Sequence, residues 1–178
     1  RLAMSGGTTP GGTYRALAAM ALPWPEIELF QVDERAGPVG SPRSNHAGIV
    51  LALGLGAGGP APRALHRMQS EAADLGAAAR AYEGVLRESF GVARGVRFDA
   101  IVLGIGGDGH TASRFPGLGT AAIDDRLVLA APAPDGLEPR LTLSRPVIER
   151  ARLVVVLATG ATKRDAVTRA LAPGAVDE

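Results

Sequence analysis

Apolar residues along this chain fall into two patterns. Short unbroken runs of branched residues, in the stretch opening at Phe98 and in Leu153-Val-Val-Val-Leu-Ala158, predict strands buried on both faces. Leu2–Met4, Glu26–Val32, Arg126–Ala130 and Arg140–Leu143 read as further strands. Between them apolar positions recur at helical spacing. Tyr14, Leu17 and Ala18 follow a proline placed for a helix start, Pro10. Ser44-Asn45 caps a short helix through Leu53. From Glu71 to Phe90, the residues Leu75, Ala78, Ala79, Tyr82, Val85, Leu86 and Phe90 share one face. Pro146–Ala151 and Ala161–Leu171 complete the helices. Strands alternating with helices predict an α/β fold, an open and mainly parallel sheet with helices on both faces.

In a parallel sheet the strands open on one edge, where ligands bind. Four predicted strands end there in unusual sequences: Ser5-Gly-Gly-Thr-Thr-Pro10, Asp33-Glu-Arg35, Gly104–His110, and Thr159-Gly160 followed by Lys163. The first is a strand, glycine turn and helix, which presents backbone N–H groups to an anion; an ordinary turn capped by threonine reads the same way. Charges at a strand end, as at Asp33–Arg35, are usually just solvated. Lys163 in the first turn of a helix opposes the helix dipole, and a bound anion would account for it. Arg35 as a fork, Lys163 as a point charge and the Ser5–Thr8 amides together suit a phosphate.

Gly104-Ile-Gly-Gly-Asp-Gly109 matches the GxGxxG spacing of dinucleotide sites. That reading also requires a sustained helix next and an acid closing the following strand. Pro116 interrupts early, and Arg126–Ala130 runs into Ala131-Pro132 with no acid, so the match is set aside. What remains is a strand-end turn carrying Asp108 and His110. A lone histidine is ordinarily structural, but this one faces a predicted cleft. Histidine changes charge near neutral pH and so serves as a general base. Asp108 would orient the ring, touch substrate or merely cap the turn. Ser5 and Ser113 lack a GxSxG elbow, which leaves activated water as the simpler nucleophile, acting on an ester or lactone.

Composition narrows the alternatives. The 178 residues include no cysteine, which excludes disulfides, thiolate metal sites and thiol nucleophiles. His46 and His66 make no metal-ligand spacing with His110, and neither a metal nor a cofactor is expected. A formal net charge of +1 with mixed signs implies no nucleic-acid or membrane partner. No apolar run approaches ~20 residues and no signal-peptide pattern opens the chain, so a cytoplasmic protein is expected. Leu2–Met4 is short for a strand, and residues 172–178 end without a clear element, which reads as material missing at both ends.

The four turns together resemble the 6-phosphogluconolactonases. Ser5-Gly-Gly-Thr-Thr-Pro10 is similar to that family's SGG-x-TP loop, and Asp33-Glu-Arg35 with Ser44-Asn45 to its DER…SN segment. Gly106-Gly-Asp-Gly-His-Thr-Ala-Ser113 with Phe115-Pro-Gly117 resembles its GxDGHTASLFPG signature, with Arg114 in place of leucine. Arg140–Leu143 and Gly160–Lys163 resemble its RxTLT and GxxK segments. The resemblance implies a fold of the glucosamine-6-phosphate isomerase and ribose-5-phosphate isomerase type. It implies metal-free hydrolysis of 6-phospho-D-glucono-1,5-lactone to 6-phospho-D-gluconate; a sugar-phosphate lactone is the expected partner, and a monomer or weak homodimer the expected state. His110 would activate water with support from Asp108. Ser5, Gly6, Gly7, Thr8, Asp33, Arg35 and Lys163 would hold the substrate and its phosphate. Residues 1–178 would form one α/β catalytic domain, lacking the family's first strand and helix and a C-terminal segment. Two rivals stand beside this reading. A glucosamine-6-phosphate isomerase or deaminase would follow the histidine with an acidic segment, where Ser113-Arg-Phe-Pro116 stands instead. A non-catalytic sugar-phosphate sensor would have no need of Asp108 and His110 together.

Overall fold

In the computed structural model, which describes residues 1–91, 95–119 and 125–172, the chain folds in the order its apolar pattern sets. It runs β1 (Leu2–Met4), α1 (Gly11–Ala18), β2 (Glu28–Gln31), β3 (Asp33–Arg35), α2 (Asn45–Leu53), β4 (Ala64–His66) and α3 (Leu75–Phe90). It continues through β5 (Ala100–Gly104), β6 (Val128–Ala131), β7 (Arg140–Leu143), α4 (Arg145–Glu149), β8 (Val154–Leu157) and α5 (Arg164–Ala170). The central sheet is parallel, in the order β4-β2-β1-β5-β8. Successive side chains of a strand point to opposite faces, and that alternation divides the core. Ala3, Phe30, Ile101 and Leu103 pack with α3 through Ala78, Ala79, Tyr82 and Leu86. Met4 and Leu29 pack on the other face with Tyr14 of α1 and Ile49 and Leu53 of α2. Helices cover both faces, as expected.

Four expectations change. Asp33–Arg35 is not a turn on the edge of the parallel sheet but a strand, β3, in a second sheet that is antiparallel and ordered β3-β7-β6. The chain crosses between sheets at Val32, whose N–H donates to the Met4 carbonyl (3.0 Å) and whose carbonyl accepts from the Leu143 N–H (2.8 Å). Leu153–Ala158 contains β8, which among the described residues is an edge strand rather than a buried one, with Val156 51 % exposed. The long helix begins at Leu75 rather than Glu71, because the Asp74 side chain caps it by accepting from the Ala77 N–H at 2.9 Å. Similarly, Ala161–Lys163 is a 3-10 turn that precedes α5. Ser44 caps α2 as predicted, accepting from the Ala47 N–H.

The antiparallel sheet is tied to α3 by one buried carboxylate. Glu83 Oε1 accepts from Arg126 Nε (2.8 Å), Leu127 N (2.9 Å) and Val128 N (3.2 Å). Burial alone would push the carboxyl up, but these donors outweigh it and hold it below the ordinary glutamate range. Glu83→Ala strands two backbone donors and is expected to cost about 2–4 kcal/mol. Thermal unfolding should show a fall in Tm of roughly 5–15 °C. Because the folded carboxyl is depressed, its contribution is present above the unfolded value near ~4.3 and is lost as pH falls through the folded one. Melting curves of variant and wild type should therefore converge in acid.

Candidate functional site

The C-terminal ends of β1 and β5 open into a cleft of about 230 Å³ that the antiparallel sheet closes from the side. Its wall begins with Ser5, whose N–H bonds across to the Val102 carbonyl (3.1 Å) and whose own carbonyl accepts from Tyr14 Oη (2.8 Å). That hydroxyl is pushed well above the ordinary tyrosine range by burial and by the Asp33 charge, so it stays a donor. Gly6, Gly7 and Thr8 continue the wall. Gly7 has φ 92°, which suits glycine alone. Gly6 is required for a different reason, since a Cβ there would overlap the Asn45 side chain.

The facing turn follows β5. Gly106 N–H donates to the His110 carbonyl (2.8 Å) and Gly109 N–H to the Gly106 carbonyl (3.2 Å), closing a tight loop. Inside it Asp108 Oδ1 lies 2.6 Å from His110 Nδ1 and also accepts the His110 backbone N–H at 3.2 Å. Partial burial would raise the Asp108 carboxyl, but the ring and backbone donors of His110 hold it below the usual carboxylate range. An ionised carboxylate only accepts, so the shared proton is on Nδ1, and in the neutral form of the ring Nε2 carries the lone pair. Phe115 packs against the imidazole, ring centroids 4.5 Å apart. His110 lines the cleft, and Asp108 is not among the residues that line it.

The structure brings Ser5, Gly6, Gly7, Thr8, Asp33, Arg35, His110 and Lys163 to this one cleft. Asp33 is buried, and its Oδ2 accepts from Ser113 Oγ at 2.6 Å. Burial first, and then the neighbouring Glu34 charge, raise its carboxyl above the ordinary aspartate range against the pull of Ser113, Arg35 and Arg140. Asp33 therefore holds the Ser113 end of the histidine turn. Asn45, Ser113, Phe115 and Arg140 also line the cleft. Spacing does not place them: Asn45 reads as a helix cap and Arg140 as an ordinary strand residue. Among the described residues no group of three or more His, Cys, Asp and Glu side chains is placed to hold a metal ion, and no helix is long and apolar enough to cross a membrane.

Known proteins resemble this chain in sequence and in fold. The family described as glucosamine-6-phosphate isomerases/6-phosphogluconolactonase matches residues 1–178. A 6-phosphogluconolactonase of Synechocystis sp. is 43 % identical over 176 residues, 98 % of this chain and 72 % of the relative. The crystal structure of 6-phosphogluconolactonase from Leishmania guyanensis superposes with a TM-score of 0.83 at 31 % identity, over 99 % of this chain and 75 % of that one. A monomeric glucosamine-6-phosphate deaminase of the NagB superfamily, 24 % identical over 96 % of this chain and 74 % of its own, shares the fold with a TM-score of 0.73.

Proposed function

The chain belongs to the glucosamine-6-phosphate isomerase/6-phosphogluconolactonase family, and we infer from that membership that it hydrolyses 6-phospho-D-glucono-1,5-lactone to 6-phospho-D-gluconate in the pentose phosphate pathway. The observation that carries the mechanism is the His110–Asp108 pair, held at 2.6 Å in a cleft that also contains Arg35 and Lys163. Arg35, Lys163 and the amides of the Gly6–Thr8 loop hold the phosphate, and this fixes the lactone ring over the histidine turn. His110 Nε2 takes a proton from water as its oxygen bonds to the lactone carbonyl carbon. The tetrahedral intermediate then collapses, the ring C–O bond breaks, and the imidazolium returns the proton to the departing ring oxygen. Asp108 holds the tautomer throughout and balances the charge on the ring.

The test is acid release. Purified protein should accelerate proton release from freshly prepared 6-phosphogluconolactone well above the spontaneous rate, and should release no ammonia from glucosamine 6-phosphate. Ammonia release without lactone turnover would replace the lactonase with the deaminase reading. Tight sugar-phosphate binding with no turnover of either compound would make the protein a sensor.

A further inference from the structure

Antiparallel pairing of β3 with β7 sets Arg35 directly across from Arg140, and both line the cleft together with Lys163. Like charges directly opposite one another destabilise a strand pair. The local acids offset the conflict only in part. Glu138 Oε2 accepts from Arg43 Nη2 at 2.9 Å but lies 3.6 Å from Arg140 Nη1, beyond hydrogen-bond reach. Asp33, the one acid among the described cleft-lining residues, is engaged by Ser113. Arg140 is only 5 % exposed, and its Nη1 makes no hydrogen bond among the described residues. Burial, and next the charge of Arg35, make this a poor place for a second guanidinium. A multivalent anion between the two arginines removes the conflict.

We propose that Arg140 is a substrate-binding residue, the second arm of a two-arginine clamp that closes with Arg35 on the phosphate of the sugar. Three cations against one buried acid suit a dianion rather than the uncharged lactone ring. Position agrees with charge. The Arg140 guanidinium lies 6.0 Å from the centre of the Phe115 ring, and the same ring packs on His110. One aromatic side chain thus lies against both Arg140 and His110, which puts the clamp and the base in the same cleft. The proposal rests on the lactonase reading only for what carries the phosphate.

Thermal melts with inorganic phosphate as the probe, paired with lactone kinetics, test it. Phosphate should raise the Tm of wild type and of His110→Asn alike, and should lose most of that effect in Arg140→Gln. Arg140→Gln should raise KM for the lactone about 10- to 100-fold, the loss of a charge-assisted hydrogen-bonding arm, with kcat within about 3-fold. Arg140→Lys keeps the charge without the fork and should fall between the two; if the glutamine variant does not fold, an unchanged KM and phosphate shift in the lysine variant overturn the proposal. It is equally overturned if phosphate does not stabilise wild type, or if kcat falls while KM holds, which would place Arg140 at the carbonyl. An Arg140-dependent phosphate shift without lactone turnover would uphold the clamp and reject the lactonase. Turnover with an Arg140-independent phosphate shift would do the reverse.

Discussion

His110→Asn is expected to lower kcat for lactone hydrolysis by about 10²- to 10⁴-fold, the range by which a positioned general base accelerates proton transfer. The expectation follows from which nitrogen is free. Nδ1 is committed to Asp108 at 2.6 Å, so the reaction depends on Nε2, and asparagine offers no basic nitrogen at that position. The proposed phosphate contacts lie on other elements, β3, β7, the Gly6–Thr8 loop and the turn that carries Lys163, so KM should move little. That split separates loss of the base from loss of the site. Asp108→Asn should cost less, because it frees the tautomer without removing the base. The measurement is initial-rate proton release at saturating lactone, corrected for spontaneous hydrolysis. Equal kcat in His110→Asn and wild type would remove His110 from the mechanism.

How far the sequence led can be judged from individual residues. The face of α3 was legible because Ala78, Ala79, Tyr82 and Leu86 repeat at the helical period and are all buried. The helix cap at Ser44 was legible from residue type. The strand-end logic found the histidine turn, the glycine loop and Lys163. It also brought Asp33 and Arg35 to the cleft, but it read Asp33–Arg35 as a turn on the parallel sheet rather than a strand of a second one, and it gave Glu34 no role. Glu34 is 1 % exposed. Its carboxylate accepts from Gln31 Nε2, Ser44 Oγ and the backbone N–H groups of Arg35, Asn45 and His46. Composition cannot separate a charge satisfied by water from one satisfied by the start of a helix. Arg140 was missed for a related reason, since what makes it unusual is its register opposite Arg35. Strand register between distant segments is set by tertiary pairing and leaves no local period.

Gly106→Ala is expected to lower kcat about 10²-fold while leaving the fold intact, the scale of loss that a displacement of about 1 Å produces in a catalytic group. A Cβ at Gly106 would overlap both the His110 ring and the Asp108 carboxylate. Neither group can yield freely. The imidazole is fixed between Asp108 and Phe115, and Asp108 Oδ1 is also bound by the His110 backbone N–H. The added methyl therefore separates the pair or swings the ring out of the cleft, and in either case Nε2 leaves its position. The adjacent glycine supplies the control: a Cβ at Gly107 meets nothing within 4 Å. Gly107→Ala should accordingly keep near wild-type kcat, although the two substitutions are chemically identical and neighbours in the chain. Lactone kinetics on both variants, with Tm measured in parallel, decide the matter. Equal activity in the two would mean that the turn tolerates displacement, and that the close approach of Gly106 to the Asp108–His110 pair has no part in catalysis.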